Sequence, residues 1–376
     1  MELLDQSYVQ PAECIIKVAG EEISDLYPYV GEVSVEVTRD RYAEATITFF
    51  SPVDETGYWL VADDPRLETW ADIVISADFQ TGTEEIMRGV ILAIEPQFPT
   101  DAGEARLKIT ARDDSGRLDR GVRQKKWGKL PAGTTDYMIL RTLADDASLL
   151  PDPDCGLGQS NLVLLQNDSN IAFLRSRAQE NGYELIFSKG TIYFGPMRLS
   201  LASQPTIMVY AGLSTNCRSL SLRNDGHQRR KVAYAQRDDN GDPRSPTTVE
   251  ADNLLLGNMP AQGEGNGLDE DMDVLDRASV PDDARSQASA LGRANDGDMS
   301  LHADGELDGS LFGHVLRVAE PVEVDGIGDR HSGTYYVHRV IHRFDSNGYA
   351  QRFSLIRNAL GRNSGGALSG ALSLVL

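Results

Sequence analysis

The stretch "YYVHRVIHRFDSNGYAQRFSLIRN", residues 335–358, decides how the chain is read. It sets His338 and His342 four positions apart. On a helix those two imidazoles share a face and can hold one zinc ion. On a strand they also share a face, but a rise of about 3.3 Å per residue separates them by roughly 13 Å. Zn–N bonds of about 2 Å cannot easily bridge that gap. Tyr335, Tyr336, Val337, Val340, Ile341 and Phe344 are β-branched or aromatic, which favours the strand. Asn347-Gly348 then signals a hairpin turn into "YAQRFSLIRN". A zinc-protease helix also needs Glu after its first His, and Arg339 stands there. The stretch reads as a β-hairpin, and no catalytic, cofactor-binding or metal-binding residue is assigned. His338 and His342 stay as the ligands of an alternative, a metal-dependent hydrolase.

Bulk composition narrows the classes. At 376 residues the chain can bury a substantial core without disulfides. Cys14, Cys155 and Cys217 have wide, unpatterned spacing and read as reduced, mostly buried thiols of a protein made in the cytosol. "MELLDQSYVQPAEC" lacks an apolar signal core, so Cys14 does not read as a lipoprotein cysteine. No apolar run reaches transmembrane length, so no membrane anchor is expected. A formal charge of −21 argues against DNA as a tightly held ligand. It suits a surface that DNA passes without sticking. The basic island "RQKKWGK", 123–129, reads as a solvated loop or a dock for an acidic partner.

Residues 1–118 read as a first β-domain of short alternating strands, closing naturally as an antiparallel barrel or sandwich. Residues 119–200 form a mixed α/β insert. One helix there has Thr134 or Thr135 as cap and Met138, Ile139, Leu143 and Ala147 on its face. A second starts at Asp168-Ser169, presents Ile171, Leu174 and Ala178, and stops at Asn181-Gly182. A hairpin turning at Lys189-Gly190 follows. Residues 201–362 read as a second β-domain, interrupted by an acidic loop at about 238–280. A helix after Pro281 presents Ala284, Ala288 and Leu291. Residues 363–376 form an apolar tail too short to span a membrane.

Chemical motifs are sparse. There is no G-x-S-x-G elbow and no P-loop. "DEDMDV" from Asp269 opens like a calcium loop, but Val274 and Val280 occupy the Gly and Glu positions. His227, His302, His314 and His331 lack ligand spacing and read as surface or turn residues. Sliding 90–112 onto 336–358 lays Ile94 on Val340, Phe98 on Phe344, Arg106 on Arg352, Leu107 on Phe353 and Ile109 on Leu355. That match suggests two related β-domains around the insert.

The order of parts resembles the late control protein D family, the baseplate hubs of contractile phage tails. Three stretches carry the likeness: "NIAFLRSRAQENGYELIFSKGTIYFGP" at 170–196, "DDARSQASALGRA" at 282–294 before "LDGSLFGHVLRV", and "SGTYYVHRVIHRFDSNGYAQRFSLIRN" at 332–358. The resemblance implies a mainly β chain with an α+β insert. It implies two similar antiparallel β-barrel domains per subunit, in a trimeric ring with near-sixfold symmetry. Such a hub adapts a hexameric tail tube to a trimeric central spike and performs no catalysis. The implied partners are two further copies of the chain, a tail tube or tube-initiator protein, a separate spike protein, baseplate wedge proteins and a tape measure protein. DNA would be passing cargo only. The implied setting is the virion tail baseplate, assembled in the host cytoplasm, or a cytoplasmic tail-like particle. A third reading is a β-rich glycan-binding tail module, which predicts exposed aromatic residues clustered on one surface.

Overall fold

The computed structural model describes residues 11–235, 245–262, 273–276 and 283–362. Strands make up 43% of the chain against 18% helix, so it is mainly β, as the alternating pattern predicts. Six strands open it: β1 (Glu13–Val18), β2 (Val30–Thr38), β3 (Glu44–Phe50), β4 (Asp72–Asp78), β5 (Thr83–Gln97) and β6 (Arg106–Asp113). On β3, Ala45, Ile47 and Phe49 are buried while Thr46 and Thr48 are half-buried. The inward faces of the six strands share one core around Ile16, Val33, Val35, Ile47, Phe49, Ile75 and Ile109.

The insert holds α1 (Asp136–Asp146) and α2 (Asn170–Asn181), then the hairpin β7 (Glu184–Ser188) and β8 (Thr191–Gly195). Thr135 caps α1 by accepting from Met138 N, and Ser169 caps α2 by accepting from Ala172 N. Gly182 ends α2 in the left-handed conformation, φ 64°. The face of α1 is Ile139, Leu140, Leu143 and Ala144; Met138, placed on that face from the sequence, is 53% exposed. The basic island is not simply a loop. Lys125–Trp127 pairs with Leu164–Gln166, and buried Trp127 donates from Nε1 to Gln166 Oε1 at 2.9 Å.

The rest of the chain supplies β9 (Gln204–Met208), β10 (Cys217–Asn224), β11 (Lys231–Ala235), β12 (Thr247–Glu250) and β13 (Asp273–Asp276). Then come α3 (Asp283–Asp298), β14 (Leu301–Asp308), β15 (Pro321–Asp325), β16 (Gly333–Asp345) and β17 (Gly348–Arg357). The expected acidic loop is in part a small sheet: β12 and β13 flank β11, and α3 covers it. Asp273 and Val274 of the "DEDMDV" stretch lie in β13; Asp269 to Met272 and Pro281 lie outside the described residues, as does the 363–376 tail. The buried residues of α3 include Ser286, Ala290 and Ala294, which lie two, two and three positions on from the expected Ala284, Ala288 and Leu291. Ala290 and Ala294 pack against Val232 and Tyr234 of β11, and elsewhere on the helix Gly292 meets α2: a Cβ built on it would lie 2.2 Å from Gly182 Cα. All three cysteines are free thiols; Cys217 is buried, and Cys14 and Cys155 are half-buried.

One 13-stranded sheet connects the two β-rich parts. The first part has the strand order β2-β3-β6-β5-β4-β1, with the two-residue strand Glu21–Glu22 beyond β1 as the thirteenth. The second has the order β10-β14-β17-β16-β15-β9. Numbered along the chain within each part, these are the same order. The irregularities match too. A bulge falls between Ile91 and Ala93 on β5, and one falls between Val337 and Arg339 on β16. Another falls between Val30 and Glu32 on β2, and its counterpart between Cys217 and Ser219 on β10. One difference is the β9·β15 pair, which is parallel where β1·β4 is antiparallel.

The bulges align Ile94 with Val340 and Phe98 with Phe344, as the sequence slide does. They move the second strand by two residues, so that Leu107 meets Gln351 and Ile109 meets Phe353. The shift arises because 98–105 connects β5 to β6 while only Ser346-Asn347 connects β16 to β17. A two-residue shift keeps every side chain on its face, which is why the ungapped slide still matches in pattern.

Candidate functional site

The two histidines of the opening stretch do not meet. The bulge on β16 falls at His338 and switches which residues face inward. Before it Tyr335 and Val337 are buried; after it Val340, His342 and Phe344 are. His338 therefore leaves the core face. It lines a cavity with Asp40, Asp296 and His302, its Nε2 3.4 Å from Asp40 Oδ2. Burial holds its pKa below the usual imidazole range, partly offset by Asp40. His342 lies inside the core, 1% exposed, with Nδ1 2.8 Å from Tyr349 Oη. Burial, with the nearby charge of Arg317, pushes its pKa down to about 3. The expectation of a shared face is thus corrected. Among the described residues no group of three or more His, Cys, Asp or Glu could hold a metal ion. His302 lies in β14 and is half-buried, so it is not a plain surface residue; His314 is exposed, as expected, with Nδ1 2.8 Å from Glu84 Oε1.

A buried polar cluster that the sequence reading missed joins four parts of the chain. Arg39, just beyond β2, has Nε 3.1 Å from Glu184 Oε1 of β7 and is also paired with Asp296 of α3. Glu184 Oε2 is 2.7 Å from Tyr336 Oη of β16, and that oxygen accepts from Arg198 N at 3.2 Å. The side chains of Arg39 and Glu184 are 9% and 5% exposed. Burial disfavours the Arg39 charge, but Glu184, Asp296 and Asp40 overcome it and raise its pKa. The charges engage one another, so the cluster fastens the sheet to the insert and to α3. No local sequence signal marks it, because its members come from distant segments.

Among the described residues the open edges of the sheet include β9, which pairs only with β15, and the two that matter here, β10 and the outer half of β5. β10 has a strand neighbour on one side only, β14. On β5 the ladder to β4 ends at the Asp72–Val90 pair, and Ile91 still exchanges bonds with Trp70 and Ala71. Beyond the bulged Leu92, Ala93 to Gln97 pair only with β6. Glu95, Pro96, Gln97 and Phe98 are exposed there, as are Ser221, Leu222 and Arg223 on β10.

This architecture is that of phage tail proteins. The 43 kDa tail protein of prophage MuSo2 from Shewanella oneidensis superposes with a TM-score of 0.66 at 12% identity, covering 92% of this chain and 98% of that one. A tail protein from Neisseria meningitidis MC58 also gives 0.66 at 12% identity, covering 93% and 97%. The E. coli c3393 protein gives 0.56 at 11% identity, covering 92% and 77%; it is described as a component of the type VI secretion system with structural similarity to T4 tail proteins gp27 and gp5. At these identities the likeness is one of fold. By sequence, the chain belongs to the family described as the Alg8 N-terminal domain, whose model matches residues 9–346. The likeness to tail proteins is therefore one of fold, and the late control protein D family is not the one whose model matches. No curated protein matches the chain.

Proposed function

We propose that this chain is a non-enzymatic baseplate hub subunit of a contractile tail or tail-like injection machine. Three copies form a ring that adapts a hexameric tube to a trimeric spike. The observation that carries this reading is the repeated strand order. Each chain holds two copies of one six-stranded unit, so a trimer presents six. That is the ratio an adaptor between threefold and sixfold partners requires. The fold of tail proteins and of a type VI secretion component supports the same setting. The two units act as the two barrel domains, 1–118 and 201–362, with 119–200 as the insert between them. The partners are a tube or tube-initiator protein, a separate spike, wedge proteins and a tape measure protein. With a net charge of −21, the ring passes DNA as cargo and does not hold it.

Electron microscopy of the purified chain, alone and with its candidate spike, tests the reading. A ring of three subunits and six lobes is expected. A trimer that forms only with the spike also supports it and makes assembly partner-driven. A compact monomer under both conditions overturns it.

A further inference from the structure

The joint between the two repeated units inside one chain shows what fits the open edges of β5 and β10. The outer half of β16 pairs antiparallel with β2, with Ile341 opposite Glu36, His342 opposite Val35 and Phe344 opposite Val33. The unit correspondences are anchored by the matching bulges: Ile91 with Val337, and Val30 with Cys217. They are checked independently by a third ladder. The residues opposite the two bulge pairs align Phe49 with Leu307 and Leu107 with Gln351. Phe49–Leu107 and Leu307–Gln351 are both register partners, on β3·β6 and β14·β17.

By these correspondences β16 is equivalent to β5, and β2 to β10. The outer half of β5 and the free edge of β10 are thus the two halves of the same joint, left unmated in different units of the chain. We propose that β5 of one copy of this chain pairs antiparallel with β10 of the next copy, with Glu95 opposite Arg223. The register carries over from the internal joint. It sets Pro96 opposite Leu222 and Phe98 opposite Leu220 on the core face.

Three observations support the pairing. The charges are complementary: Glu95 is exposed and Arg223 is 72% exposed, on the same outer face. The internal joint also carries crossed charges on that face, Arg339 with Glu36 and Arg343 with Glu32. Exposure points the same way. Val35 and Phe344 are buried in the internal joint at 0% and 8%, while their counterparts Leu222 and Phe98 are 36% and 57% exposed. Pairing in this register covers those two side chains as the internal joint covers theirs. Pro96 has no N–H, so the ladder there runs one donor short. The contact is heterologous, β5 to β10, and such contacts propagate around an axis until a ring closes. The inference deepens the ring reading above and rests on it for the number of copies.

Single-cysteine variants test it. Opposed Cα atoms of an antiparallel pair are about 4.5–5.5 Å apart, within disulfide reach. Glu95→Cys and Arg223→Cys chains, co-expressed together with the candidate spike and oxidised, are expected to give a disulfide-linked dimer. Either variant alone is expected to link no more than wild type, because the joint brings neither residue to its own copy. A chain carrying both substitutions is expected to give a ladder ending at the ring size. As a register control, Glu95→Cys with Arg218→Cys should remain unlinked. Linking in the control to the same extent, self-linking of one variant, or no linking in the mixture overturns the pairing. Six-lobed rings without the Glu95–Arg223 link would sink the pairing and leave the hub reading standing; monomers without it would remove both.

Discussion

Acid should loosen the joint between the two units through one side chain, His342. It lies on the half of β16 that pairs with β2, fully enclosed, with Nδ1 on the Tyr349 hydroxyl. Burial lowers its pKa from 6.5 to about 3. The folded chain therefore holds the ring neutral, while the unfolded chain protonates it near pH 6.5. The stability this contributes is fully present above the unfolded pKa and is lost as pH falls from there toward the folded value. At pH 4.5 the unfolded ring is two pH units below its pKa and the folded ring is still neutral. At about 1.4 kcal/mol per unit, the loss relative to pH 7.5 is roughly 3 kcal/mol.

Urea unfolding followed by circular dichroism, at one fixed protein concentration, measures this at the two pH values. His342→Gln removes the titration while keeping a polar group. The variant is expected to be less stable than wild type at pH 7.5 by about 1 kcal/mol or more, for the lost hydrogen bond and ring packing. It should then lose roughly 3 kcal/mol less than wild type on acidification. Other titrating groups are common to both proteins and cancel in this difference. Asp113, for example, is pushed up to about 6 by burial and favours the folded state at low pH. An equal acid loss in both proteins would refute the assignment of a neutral, buried His342.

Arg39→Met leaves the Glu184 carboxylate buried without its partner and is expected to cost roughly 3–5 kcal/mol in chemical denaturation. Adding Glu184→Gln should recover most of that; a double variant no more stable than the single one contradicts the proposed pairing. Gly292→Ala places a methyl 2.2 Å from Gly182 Cα and must push α3 from α2, with an expected cost of about 1–3 kcal/mol read as a lowered Tm. Wild-type Tm in the alanine variant would mean that the two helices are not in close contact.

The strands were legible because half-buried sheets alternate, and β2, β3 and β6 alternate cleanly. The caps of α1 and α2 were legible for a similar reason: Thr135, Ser169 and Gly182 act within one turn of their own helix. What escaped is non-local. The strand β13 lies in an acidic segment and pairs in parallel with β11, some forty residues earlier. The stripe of α3 escaped because serine and alanine carry little apolar signal, while Val232 and Tyr234, against which Ala290 and Ala294 pack, are distant in sequence. The bulge at His338 did leave a trace. Val337 and Val340 are both apolar and both buried although three apart, which a strand with a single buried face shows only across a bulge. Reading that broken alternation would have separated the two histidines and removed the basis of a metal site. The Arg39–Glu184–Tyr336 cluster left no such trace.

The repeat was visible in sequence only as a loose slide, and structure turns it into a measuring device. Exposed strand edges are normally blunted by short strands, charges or proline, because an open ladder recruits other chains. Here β5 carries Pro96 and Glu95, yet it also presents Phe98, and β10 presents Leu222. Their equivalents Phe344 and Val35 are sealed inside the internal joint. An edge that resembles a satisfied joint in bulge position, register and face, but lacks its mate, implies a mate of the same shape. A second copy of the chain supplies that shape without any new sequence. In the proposed pairing β5 and β10 differ, so each copy would offer one donor edge and one acceptor edge, and assembly would have a direction. The internal joint relates unit to unit within a chain; repeating it between chains would make every contact around the proposed ring nearly equivalent. Near-sixfold symmetry from three chains would then follow from one strand-pairing geometry used six times.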